Sequence, residues 1–141
     1  MVEIEAGSDE WLGQVQEDII DPERLIIDPH HHLWKKRFGR NYLLPELWGD
    51  TGSGHNIVKT LFVECMAFYY REGPDHLRPV GETEYITDCC KQSALDPNNA
   101  TVAGIIAHAD LELAGESEEK LIEALHLNTV KSEGLLRGIR H

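Results

Sequence analysis

The strongest constraint on the fold is an apolar run of strand length that recurs along the chain. Leu25, Ile26 and Ile27 form the first run, 57–63 (IVKTLFV) the second, 102–107 (VAGIIA) the third and 135–139 (LLRGI) the fourth. Their first residues, 25, 57, 102 and 135, stand 32, 45 and 33 positions apart. That is the length of a strand, a crossover and a helix. Helical patterns fall between some of the runs. Ser117 reads as an N-cap, with Glu118 and Glu119 in the first turn and Leu121, Ile122 and Leu125 on an apolar face. Thr83 reads as a second cap, with Tyr85, Ile86, Cys89 and Cys90 inward and a stop before Asp96-Pro97. A third helix is expected from Ser8 towards Asp18, with Trp11, Leu12 and Val15 inward and Asp21-Pro22 ending it. The first crossover, 34–56, is the least regular; it holds the single Pro45, and its GDTGSGH stretch reads as loop.

Strands alternating with helical patterns predict an α/β fold with a parallel sheet. A doubly wound open sheet and a (β/α)8 barrel both satisfy the spacing. A barrel takes about 250 residues, so four units in 141 residues are about half of one. The fourth run reaches His141 with no helix after it, so the chain reads as the N-terminal portion of something longer.

Charge and cysteine usage narrow the partners. The net charge of −12 argues against nucleic acid and anionic membrane surfaces, both of which need clustered Lys and Arg. No apolar run approaches a membrane span, and the N-terminus has neither a basic nor an apolar region of signal-peptide type. Cys65, Cys89 and Cys90 are odd in number and two are adjacent, a poor disulfide framework that favours a reducing, cytoplasmic compartment.

Chemistry concentrates at strand ends. Asp28-Pro29-His30-His31-His32 follows the first run directly. Alternate residues of a strand share a face, so His30 and His32 point one way and His31 the other. Two imidazoles at i and i+2 can meet one divalent cation. Glu64 and Cys65 follow the second run, His108 and Asp110 end the third, and Arg140 and His141 end the fourth. Glu64, His108 and Arg140 are candidate substrate contacts, Arg140 through its planar fork. Cys65 reads as a small buried hydrophobe. The stretch 68–71 (FYYR) reads as a loop over the site, and Glu82 and Glu84 as carboxylates at a helix start. The glycines at 49, 52 and 54 precede a strand, not a helix, so they are not read as a phosphate loop.

IIDPHHHLW, then GHNIVKTLFVECMAFYYREGPDHLRPVGETEY, VAGIIAHADL and LLRGIRH, in this order, resemble the amidohydrolase-related (metal-dependent hydrolase) family, in particular its lactonase-like branch. The likeness covers about residues 17–141. It implies TIM-barrel-like (β/α) units, about half of a (β/α)8 barrel in this chain, with 1–24 a helical extension and 25–141 the first four strands and their crossovers. It implies a hydrolase that opens a lactone, or cleaves a related C–O or C–N bond, with metal-activated water. His30 and His32 match the family's HxH and are carried over as metal ligands. The metal in such proteins is a divalent ion, commonly zinc or manganese, and some lactonases of the branch work without one. The family completes its site with a histidine on each of the fifth and sixth strands and an aspartate on the eighth, so the catalytic base is not assigned here. The competing expectations are a non-catalytic half-barrel that associates with itself through its open edge and a metal-independent lactonase.

Overall fold

The computed structural model describes residues 4–37 and 39–141. In chain order the elements are α1 (Asp9–Leu12), β1 (Ile26–His31), β2 (Trp34–Arg37), β3 (Arg40–Tyr42), α2 (Leu44–Thr51), β4 (Ile57–Val63), a 3-10 turn (Asp75–Leu77), α3 (Val80–Ala94), β5 (Thr101–His108), α4 (Leu113–Glu116), α5 (Glu118–Lys131) and β6 (Leu136–Arg140). The four apolar runs are the four strands of one sheet, in the order β1-β4-β5-β6. Every pairing in it is parallel. A parallel neighbour requires a crossover between strands, and α2, α3 and α5 lie within the three crossovers. The spatial order follows the chain without reversal. β2 and β3 form a separate antiparallel hairpin.

The main core lies where helices pack on the sheet. Phe62 of β4, Ile105 of β5, Ile86 of α3 and Leu33 are fully buried in one cluster, joined by Leu44 and Leu47 of α2. Each such side chain contributes about 1.5–3 kcal/mol by leaving water. α3 ends against β5 through a buried hydroxyl: Ser93 Oγ donates to the Cys90 carbonyl and accepts the Val102 amide at 3.0 Å. At its other end Gly81 permits close approach of the preceding loop, since a Cβ there would stand 2.7 Å from the Phe68 carbonyl oxygen.

Three local expectations are corrected. The N-terminal helix spans only Asp9–Leu12, and Trp11, Leu12 and Val15 are exposed at 47, 59 and 71%. An apolar stripe needs a surface to bury it if a long helix is to hold, and all three of these side chains are exposed. Thr83 does not cap α3, which begins at Val80 after Pro79; its hydroxyl is buried and donates to Asn128 Oδ1. Ile122 faces solvent, and Ala124 and Asn128 take the buried positions of α5 beside Leu121. The first crossover holds more order than its sequence suggests. Leu43 N–H donates to Glu46 Oε2, and Pro45 lies in the first turn of α2, where its missing N–H costs nothing. The cysteines are free and buried as expected, and burial pushes their thiols up, Cys65 to about 12. No helix among the described residues is long and apolar enough to cross a membrane.

Asn128 ties the helical layer to the sheet's carboxyl end. It accepts from Thr83 of α3 and its Nδ2 donates to the His108 carbonyl at 3.1 Å, with the Asn128 side chain fully buried. Replacing Asn128 with Leu orphans both partners. The expected cost is about 2–4 kcal/mol, read as a lower urea midpoint with unchanged slope.

Candidate functional site at the carboxyl edge of the sheet

Parallel strands in register put their carboxyl ends on one edge. His31 pairs with Phe62, Val63 with Ile106 and His108 with Arg140. His30 and His32, Glu64, His108 and Arg140 therefore all lie at that edge. They fall into three groups along it rather than one.

The first group is the histidine pair. Pro29 has no N–H to give, and β1 is an edge strand that tolerates it; the pairing with β4 is irregular between Asp28 and His31. Beyond that irregularity the two imidazoles converge, with His30 Nε2 and His32 Nε2 3.3 Å apart. His32 Nδ1 lies 2.8 Å from the Val63 carbonyl oxygen. A carbonyl only accepts, so Nδ1 carries the proton and Nε2 of neutral His32 presents its lone pair towards His30. His31 goes the other way, into the packed interior, where Nε2 meets Thr60 Oγ1 at 3.0 Å. Burial lowers its pKa to about 4, so it stays neutral. The expected alternation of the three histidines therefore holds. A cavity of about 340 Å³ opens beside them, walled by Asp28, Trp34, Tyr42 and Asp50 among others.

This pair fits a divalent ion in part. Two imidazole nitrogens at about 2.0–2.1 Å from one tetrahedral ion stand about 3.3–3.4 Å apart, the separation found here. Fixing of a ligand histidine through its other nitrogen by a backbone carbonyl is the usual supporting contact. No third histidine, cysteine or carboxylate among the described residues completes a group with them.

The second group is Glu64 with Arg140. Arg140 reaches over β5 to β4, donating from Nε to Glu64 Oε1 at 2.8 Å and from Nη2 to the Glu64 carbonyl at 2.7 Å. Arg140 thus grips a protein carboxylate first. Glu64 Oε2 is buried and has no hydrogen-bond partner among the described residues. An orphaned buried acceptor costs about 1–3 kcal/mol and calls for an explanation such as a ligand or water.

The third group surrounds His108. Its ring stacks on His141 at 5.9 Å and lies 6.5 Å from Tyr69. Asp110 meets His141 rather than His108, and Asp110, Glu112 and His141 bring one ligand atom each within 4.8 Å of one another. All three are at least partly exposed, as solvated acidic groups often are. A larger cavity of about 740 Å³ lies here, lined by Tyr69, His76, Arg78, His108 and Asp110 among others.

Two residues of this edge carry more than their sequence reading suggested. Tyr69 Oη is buried without a hydrogen-bond partner among the described residues, and burial, then the charges of Glu82 and Glu64, raise its pKa. Glu82, read as a helix-start carboxylate, is buried under the 64–67 loop and accepts the Ala67 amide at 2.7 Å and the Cys65 amide at 3.3 Å. Burial pushes its pKa up to about 7, against those hydrogen bonds, which pull it down. No family model, curated protein or solved structure matches the chain.

The raised pKa of Glu82 has a definite sign. The folded state holds the proton more tightly than the unfolded chain, so this contribution is fully present below about 4.5 and is lost as pH rises to about 7. Glu82→Gln removes that dependence. Relative to the variant, the wild type should lose on the order of 3 kcal/mol across the window, checked by urea midpoints of both proteins from acid to neutral pH.

Proposed function

We propose that the protein is a hydrolase of the amidohydrolase-related, lactonase-like kind, opening a lactone or cleaving a related C–O or C–N bond. The observation that carries this reading is the pair of Nε2 atoms, 3.3 Å apart, with His32 held in one tautomer by the Val63 carbonyl. A barrel is the architecture proposed around it. A doubly wound sheet reverses its strand order at a switch point, whereas β1-β4-β5-β6 follows the chain throughout, as each segment of a barrel must. Barrel sites are built at the carboxyl ends of strands, and all five candidate residues lie there.

Zinc or manganese held by His30 and His32 would polarise the scissile carbonyl and lower the pKa of water at the site. The chain's own groups do the rest. The Val63 carbonyl keeps the His32 lone pair aimed outward. Arg140 orients one oxygen of Glu64 and leaves Oε2 as an acceptor for a water or substrate hydroxyl proton. His108 and Tyr69 wall the larger cavity, where a small-molecule substrate fits. The buried free thiols suit a reducing compartment. A second reading keeps the histidines and omits the ion, because 3.3 Å is also a hydrogen bond from His30 Nε2–H to His32 Nε2.

The test uses the purified protein on a panel of lactones, with metal analysis. His30→Ala and His32→Ala should each lower metal content and cut turnover on the order of a thousandfold, about 4 kcal/mol in barrier. His31→Ala should lower the melting temperature through the lost Thr60 contact while retaining metal. Full turnover in the His32 variant refutes the site. Turnover that survives chelation in the wild type and is lost in the variants selects the metal-independent reading.

A further inference from the structure

Four cations, Lys35, Lys36, Arg37 and Arg71, line one pocket of about 470 Å³ between the β2–β3 hairpin and the loop after β4, and none of the described residues that line it is acidic. The chain carries 13 Lys and Arg against 25 Asp and Glu. Gathering four of the thirteen around one cavity separates charge against the composition. Lys35 Nζ lies 5.2 Å from the centre of the Tyr85 ring, and Arg37 Nη1 donates to the Cys65 carbonyl at 2.7 Å. Lys36 and Arg71 are exposed at its rim. The backbone around it is unusual as well. Of the four non-glycine residues with left-handed φ among the described residues, Lys36, Met66 and Phe68 line this pocket. Such conformations persist where surrounding structure imposes them, and they gather at ligand sites.

We propose that this pocket binds a phosphate-type oxyanion carried on a flat aromatic group. A cleft lined by one sign of charge focuses the field and concentrates a counter-ion. Guanidinium and ammonium donors make short, charge-assisted bonds to oxyanion oxygens. The remaining wall supplies Trp34, Phe68 and Tyr69, suited to a ring beside the anion. The site shares Trp34 with the cavity of the histidine pair and Tyr69 with the larger one, and it stands on its own charges whether or not the protein is a hydrolase.

The experiment is isothermal titration of the whole protein with phenyl phosphate and with inorganic phosphate. Phenyl phosphate should bind one to one, at least about fivefold tighter than inorganic phosphate, and more weakly as salt is raised. Lys36→Glu and Arg71→Glu should each weaken it by about tenfold or more, with circular dichroism unchanged. Lys59→Glu, which reverses an exposed cation outside the pocket, should weaken it by less than about twofold. Absence of saturable binding up to about 10 mM, equal affinity for the two probes, or equal weakening in all three variants overturns the proposal.

Discussion

The parallel ladder of β4 and β5 is the constraint on which the rest depends. These two strands form the middle of the sheet, with β1 and β6 outside them. Because they run the same way, each must be reached by a crossover, and each crossover brings a helix to the sheet. Phe62 and Ile105, both fully buried, then have α3 to pack against. The same parallelism decides where polar groups go. Backbone pairing satisfies the strand interiors, so side chains with chemistry collect at or just past the last ladder pairs, on a single edge. Glu64 illustrates this: its amide still donates to the Ile106 carbonyl, while its side chain is already beyond the apolar layer.

Legibility in the sequence followed burial. The four strands were readable because the strands of a covered parallel sheet are near-continuous apolar runs, and 57–63 is one. The end of α3 was readable from Asp96-Pro97. α2 was not, because its eight residues hold barely two turns and its capping donor is the backbone of apolar Leu43. Its one available signal was Pro45 followed by Glu46. The N-terminal stripe failed for the opposite reason. Trp11, Leu12 and Val15 have a helical spacing, but spacing predicts burial only where a second surface arrives.

The candidate site divides in the same way. His30 and His32 were legible because a period of two is a local property of a strand, and it survived the irregularity at Pro29. Glu82 was not, since a carboxylate in the first turn of a helix has an ordinary explanation in the dipole. Nothing in the local sequence shows that the 64–67 loop will fold its amides onto that carboxyl and seal it from water. The partnership of Glu64 with Arg140 was equally hidden, because the two residues are 76 positions apart and separated by a strand.

That partnership also shows why an ion pair can matter more for position than for stability. Glu64 retains 9% of its side-chain exposure, whereas Arg140 retains 43%. Desolvating the carboxylate offsets much of the attraction, and such pairs contribute modestly to folding. The geometry does something else. Two strand spacings of about 4.8 Å separate β4 from β6, and Arg140 spans them with one bond to the Glu64 side chain and one to its carbonyl. Two bonds to different atoms of one residue leave the guanidinium little freedom to rotate. The carboxyl ends of β4 and β6 are therefore clasped across β5, and Oε2 of Glu64, unpartnered among the described residues, is held in one place. An oxygen so fixed is costly in an apolar core and useful at a site, where a proton or a ligand must find it already in position.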